Sequence, residues 1–208
     1  MEDRHGHLWF GCAGGGVSRY EDLIFQTLSR LDGLIYDVVQ ALLQDRNGDV
    51  WIGTEAGITR YRPASDPPGV RLEAAIADQR YGPDDNIQLS ASQKLVVFEF
   101  QGQSMTTLPE DLAYVYQLEG RDADWQPVYT SRVEYQALPL GDYTFRVKAV
   151  DRDLNYSEEA RVRLTVEPDA LVESLTAALE QSSTQANSSA RVRTCACWRN
   201  CTSSPRPN

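Results

Sequence analysis

Three groups of residues have the types and spacing to support metal chemistry. Asp45-Arg46-Asn47-Gly48-Asp49 alternates oxygen donors as a calcium loop does, yet position twelve, where a bidentate glutamate belongs, is Ala56. Asn47-Gly48 between apolar runs is instead a strong hairpin-turn signal. His5 and His7 would project from one face of an extended segment, as a pair of metal ligands would. No third ligand accompanies them, so turn residues at a frayed terminus are the simpler reading. Cys195-x-Cys197 with Cys201 offers soft donors, but in a segment with no pattern that would orient them.

Catalysis finds no foothold. The chain has no nucleophile elbow, no H-E-x-x-H, and no serine, histidine and aspartate set away from its terminus. Asp84-Asp85 and Glu158-Glu159 are paired carboxylates in polar stretches, which reads as solvation. Trp9 and Trp51 could stack sugars, but their repeated place inside strands fits packing better. The expectation is a non-enzyme, with no catalytic, metal or cofactor-binding residues and with its ligand-binding residues unknown.

The elements that would carry these residues begin with a repeat. DRHGHLWFGCAGGGVSRY (3–20) and DRNGDVWIGTEAGITRY (45–61) align Asp3 with Asp45, Gly6 with Gly48, Trp9 with Trp51 and Gly11 with Gly53. One extra glycine in the first copy then brings Gly16, Arg19 and Tyr20 onto Gly57, Arg60 and Tyr61. A period near 40 residues suits a four-stranded propeller blade. Val50-Trp51-Ile52-Gly53-Thr54 and Ile58-Thr59-Arg60-Tyr61 read as strands, and Val38 to Leu43 as the strand before the Asn-Gly turn.

This D-x-x-G-x-(L/V)-W-(I/F)-G pattern followed by G-(V/I)-(S/T)-R-Y resembles the two-component regulator propeller repeat. Two repeats cannot close a ring, which needs at least four blades. That implies a fragment, with Met1 not the start of the functional protein.

Arg62-Pro63-Ala64-Ser65-Asp66-Pro67-Pro68-Gly69 is a proline-rich break. Beyond it, apolar residues alternate with period two: Val70, Leu72, Ala74, Ile76; Val96, Phe98, Phe100; Tyr114, Tyr116, Leu118; Tyr143, Phe145, Val147, Ala149; Val162, Leu164, Val166. Seven or so strands in about 100 residues, with no helical pattern, argue for a β-sandwich. Leu138-Pro139-Leu140-Gly141-Asp142-Tyr143 has the form of a tyrosine corner. Trp125 and Tyr114, Tyr116, Tyr135 and Tyr143 are expected in the core, with Tyr129 and Tyr156 open.

Tyr114-x-Tyr116-x-Leu118-x-Gly120, Asp124-Trp125, Tyr135, Leu138 and Gly141-x-Tyr143-x-Phe145-x-Val147-x-Ala149 resemble the three-Y (Y_Y_Y) domain that follows such propellers in bacterial two-component sensor histidine kinases. The resemblance implies a periplasmic or extracellular place in the full-length protein. It also implies an oligosaccharide as ligand of the complete propeller, a homodimer through the sandwich, and membrane contact only through a downstream helix.

Residues 169–208 depart from this. Ala170 to Gln181 is expected as a short helix and the remainder as disordered. The chain has no stretch near the roughly 18 to 20 apolar residues of a membrane span, and no signal peptide pattern. All 30 acidic residues and 16 of the 20 basic ones precede residue 181, so that part carries −14 against −10 for the whole. Such a body repels phosphate backbones and anionic lipid, which excludes nucleic acid as a partner.

The expected fold is all-β: partial propeller blades over 1–62, a linker over 63–69, an immunoglobulin- or fibronectin-III-like sandwich over 70–168, and the tail. The expected function is the ligand-sensing and signal-transmitting region of a two-component regulator, its kinase absent from this chain. Two alternatives stay open: an accessory or spacer module of a secreted carbohydrate-active protein, and a truncated gene product without present function.

Overall fold

The computed structural model describes residues 1–83, 85–169, 174–176 and 178–179. The first blade is the antiparallel sheet β1 (Leu8–Gly11), β2 (Val17–Glu21) and β3 (Ile24–Leu28). The second is β4 (Val39–Gln44), β5 (Val50–Thr54) and β6 (Gly57–Tyr61). Each has three strands where the repeat length suggested four. The amino terminus is not frayed, contrary to expectation: the Met1 ammonium donates to the Trp9 carbonyl at 3.0 Å, and Glu2 bridges Leu8.

The turn chemistry explains the repeat's spacing. In the second copy the Asp45 carboxylate accepts the N–H groups of Asn47 (2.7 Å) and Asp49 (3.2 Å), and Gly48 sits at φ +91°. In the first, Asp3 accepts those of His5 (2.9 Å) and His7 (3.0 Å). Gly16 is required by contact as well as by φ of +76°, because a Cβ there would lie 2.0 Å from the Leu28 carbonyl oxygen. The blades pack face to face through Trp9, Val17, Leu28, Leu34, Val50 and Ile52, with Val39, Leu42 and Tyr61 at the margin.

The sandwich strands are β7 (Gly69–Ile76), β8 (Arg80–Tyr81), β9 (Ile87–Ser90), β10 (Leu95–Gln103), β11 (Ala113–Glu119), β12 (Gln126–Val128), β13 (Arg132–Gln136), β14 (Gly141–Val150) and β15 (Ala160–Glu167). One sheet runs β13-β10-β7-β8 and the other β12-β11-β14-β15-β9, the last pair parallel. Their inner faces meet around Phe98, Phe100, Tyr114, Leu118, Phe145, Val147 and Leu164, with Phe98 stacked on Phe145 at 4.0 Å between centroids. Burying such side chains is the main source of the domain's stability, about 2 kcal/mol each. The Tyr143 hydroxyl donates to the Pro139 carbonyl at 2.9 Å, which is the tyrosine corner. Both halves of the described chain are thus all-β, as the alternation indicates.

Residues 174–176 and 178–179 are helical, within the expected helix. The rest of that segment, the basic tail with Cys195, Cys197 and Cys201, and Asp84 lie outside the described residues.

Candidate functional site

The described residues singled out as possible ligands do not converge. Among the described residues no group of three or more His, Cys, Asp or Glu is placed to hold a metal ion. The two carboxylates of the calcium-like run serve different partners. Asp45 also accepts the Trp51 indole N–H at 2.9 Å, while Asp49 accepts Arg60 Nε at 2.6 Å and Arg62 Nε at 2.9 Å. These hydrogen bonds from Arg62 and Arg60 hold the Asp49 carboxyl at about 2.

The first copy repeats this arrangement with a different residue. Asp3 accepts the Trp9 indole N–H at 2.8 Å, and His7, aligned with Asp49, takes the arginine. His7 Nδ1 lies between Arg19 Nη2 at 2.9 Å and the Asp3 carboxylate at 3.0 Å, and the other ring nitrogen faces Glu21 at 3.3 Å. Burial opposes ionisation of Asp3, but the Trp9, His7 and His5 hydrogen bonds outweigh it and lower its pKa. In both blades the arginine pairs across strands with the tryptophan and lies over its ring, at 4.8 Å for Arg19 and Trp9 and 5.7 Å for Arg60 and Trp51.

The two copies differ in cover. Trp9 is 1% exposed because the second blade lies on it, with Tyr61 edge-on at 5.9 Å. Trp51, on the second blade's far face, is 37% exposed and is not fully packed as its motif suggested.

What the fold does bring together is a junction between blades and sandwich. Its apolar part is Ile24 from β3 against Ala113 and Val115 of β11, Val150 of β14 and Leu154, flanked by Trp125 and Tyr156. Trp125 therefore sits on the outer face of the five-stranded sheet and not in the sandwich core, a correction to the sequence reading. Tyr156 is half-buried here, with its hydroxyl pushed up to about 12 by burial and by Glu21 and Asp22. Tyr129, 54% exposed, also lies here, its hydroxyl accepting the Phe25 N–H at 3.1 Å.

The polar part centres on the β14–β15 loop. Asp151, fully buried, accepts the N–H groups of Asp153 (2.8 Å) and Asn155 (2.9 Å), which lets Leu154 hold φ +61°. Burial raises the Asp151 pKa against these bonds. The loop then presents Asp153 to the blades. Its carboxylate accepts the Tyr61 hydroxyl and the Ala64 N–H (3.1 Å), and Arg19 Nη1 lies 3.5 Å away. Burial and then the Asp153 charge push the Tyr61 hydroxyl far above the usual tyrosine range. Asn155 donates to the Ala64 carbonyl at 2.9 Å, Gln26 reaches the Val150 and Asp111 carbonyls at 3.4 Å each, and Arg152 Nη1 lies 3.7 Å from Asp32. Beside these contacts is a cleft of about 510 Å³ between the first blade and the sandwich.

The sequence reading missed Arg19, Asp151 and Asp153 as junction residues. Arg19 and Tyr61 were visible only as members of the repeat pattern. The remaining candidates are local: Asp85 accepts the Gly82 N–H at 2.6 Å, and Glu159 accepts Arg146 Nη2 at 2.6 Å.

Family models match two segments: the two component regulator propeller over residues 33–56 and the Y_Y_Y domain over residues 106–167. The first takes in β4, β5 and the loop before them. No curated protein matches the chain. Among solved structures it is similar to the extracellular domain of the putative hybrid two component system BT3049 from B. thetaiotaomicron, at 17% identity and TM-score 0.48, covering 81% of this chain and 32% of that one. It is also similar to the extracellular domain of BT4673 from B. thetaiotaomicron (18%, TM-score 0.41, covering 81% and 30%). A third is the fibronectin(III)-like modules of Clostridium thermocellum CbhA (12%, TM-score 0.40, covering 78% and 94%). The chain spans about a third of the length of the two B. thetaiotaomicron domains.

Proposed function

We propose that this chain, which carries a two-component regulator propeller repeat followed by a Y_Y_Y domain, is part of the extracytoplasmic sensor of a two-component regulator, with the sandwich as its transmitting element. The observation that carries this reading is the loop between β14 and β15. It is held rigid by Asp151 and delivers Asp153 to Arg19 of one blade and Tyr61 of the next. A displacement of either blade is thereby passed to the two longest strands of the sheet's centre.

On this reading the complete propeller binds a carbohydrate outside the inner membrane. The sandwich pairs with that of a second copy and relays the event to a membrane helix and histidine kinase elsewhere in the protein. The chain itself works as a binding and relay module, not as a catalyst. A ligand can shift such a pair only by its difference in affinity for the two arrangements, so a rigid junction conserves that difference over distance.

Translating the DNA on both sides of the reading frame tests this. Further D-x-x-G-x-x-W repeats upstream and an apolar span with kinase motifs downstream are expected. A frame closed at both ends, with neither nearby, would overturn it.

A further inference from the structure

The outer face of the five-stranded sheet is divided in two. One half, around Val115 and Val150, lies under the first blade. The other carries Arg146 and Lys148 on β14 and Arg161 and Arg163 on β15, in a protein whose net charge is −10. We propose that this second half is a binding site for an oxyanion group, a sulfate, phosphate or carboxylate carried by a small ligand.

Three features carry the proposal. First, the cations are crowded. Arg146 and Arg161 are direct cross-strand partners, which puts their Cβ atoms about 5 Å apart, and like charges so placed destabilise a sheet. Arg163 follows Arg161 on the same face, about 6.6 Å further along the strand. Second, their compensation is unequal. Arg146 is fixed by Glu119 and by Glu159 at 2.6 Å, and stacks on Trp125 at 5.0 Å with Lys148 on the same ring at 5.1 Å. Among the described residues, the side chains of Arg161 and Arg163 make no hydrogen bond or ion pair. Third, the arginines line a concavity of about 240 Å³ with Thr144, Glu119 and Glu159. Arg146 Nε is buried in this region with no hydrogen-bond partner among the described residues.

Guanidinium groups match oxyanions by paired, charge-assisted hydrogen bonds, and here one fixed arginine and two without hydrogen bonds line a common concavity. Glu119 and Glu159 are both bonded to Arg146, and the Glu159 charge also acts on Lys148 and Arg161, so they limit the charge accepted without closing the site. The acidic body repels long polyanions at a distance, which restricts the ligand to a small one whose attraction is short-ranged. The site is independent of the proposed sensor role, since its arginines and glutamates take no part in the blade junction and only Trp125 borders both.

The test follows the Trp125 indole N–H resonance of the ¹⁵N-labelled full chain during titration with sodium sulfate, phosphate or malonate, each against sodium chloride at equal ionic strength. A saturable shift with at least one of the three is expected, with half-saturation on the order of 1–10 mM. The most tightly bound anion names the group. R161Q/R163Q should weaken it about tenfold or more, while R71Q/R80Q, on the other sheet, should leave it unchanged. Should the double variant lose its dispersed spectrum, R163Q alone serves. Shifts that fail to saturate with all three anions, or that persist undiminished in R161Q/R163Q or R163Q, would overturn the proposal.

Discussion

The hydroxyl of Tyr61, the last residue of the second blade, donates to the carboxylate of Asp153 in the sandwich, 92 residues further along the chain. The same carboxylate is the nearest counter-charge of Arg19 Nη1, at 3.5 Å, and both ionic side chains are almost wholly buried. One buried anion therefore joins both blades to the β14–β15 loop.

Removing that anion should cost more than removing any one of its hydrogen bonds. Asp153→Ala leaves Arg19 buried with, among the described residues, only Asp3 at 3.9 Å to balance it, and should destabilise the fold by about 3 kcal/mol. Tyr61→Phe deletes one donor and should cost about 1–2 kcal/mol. Urea denaturation of the two variants measures both, and the order matters more than the values.

The two repeat tryptophans make a controlled comparison. Both donate their indole N–H to an aspartate six residues earlier and both lie under an arginine. Trp9 is covered by the second blade and Trp51 faces outward. Trp9→Ala should cost about 3–5 kcal/mol as a buried truncation, and Trp51→Ala about 1 kcal/mol. Equal losses in chemical denaturation would mean that the cover on Trp9 contributes little.

Acid should loosen the second blade through Asp49. Its carboxyl is lowered to about 2 by Arg62 and Arg60, against about 3.9 in an unfolded chain. A depressed acid stabilises the fold above the unfolded value and loses that contribution as pH falls through the folded one. This part of the stability should thus be complete above about pH 4 and fade towards about pH 2. Asp49→Asn should flatten the pH dependence of the midpoint in that window, as thermal melts between those limits would show.

The strands of the sandwich were legible because every second residue must be apolar when one face of a sheet is buried, and Tyr143 to Ala149 obeys this without exception. Where the pairing shifts between Glu99 and Phe100, the rule fails locally and Ala74 and Ala75 are both buried. The repeat was legible from spacing, but not what its aspartate and tryptophan do together, since a hydrogen bond over six residues leaves no periodic trace. The junction left still less. Arg19, Ile24, Gln26 and Tyr61 reach partners 85 to 134 positions away, and Asp151 to Asn155 form a short loop whose composition resembles any polar turn. Trp125 was misplaced for the same reason, because an aromatic residue outside a regular strand has no parity to show which face it takes.

The most direct test of the junction is a double-mutant cycle between Arg19 and Asp153. Arg19→Met, Asp153→Ala and the double variant would be compared with the parent by urea denaturation, monitored in both halves of the chain. If the pair joins blade to sandwich, the two single losses should exceed the double loss by about 1 kcal/mol or more, and the parent should unfold in one transition. Losses that add within about 0.3 kcal/mol, with the blades melting separately from the sandwich in the parent, would contradict a rigid coupling.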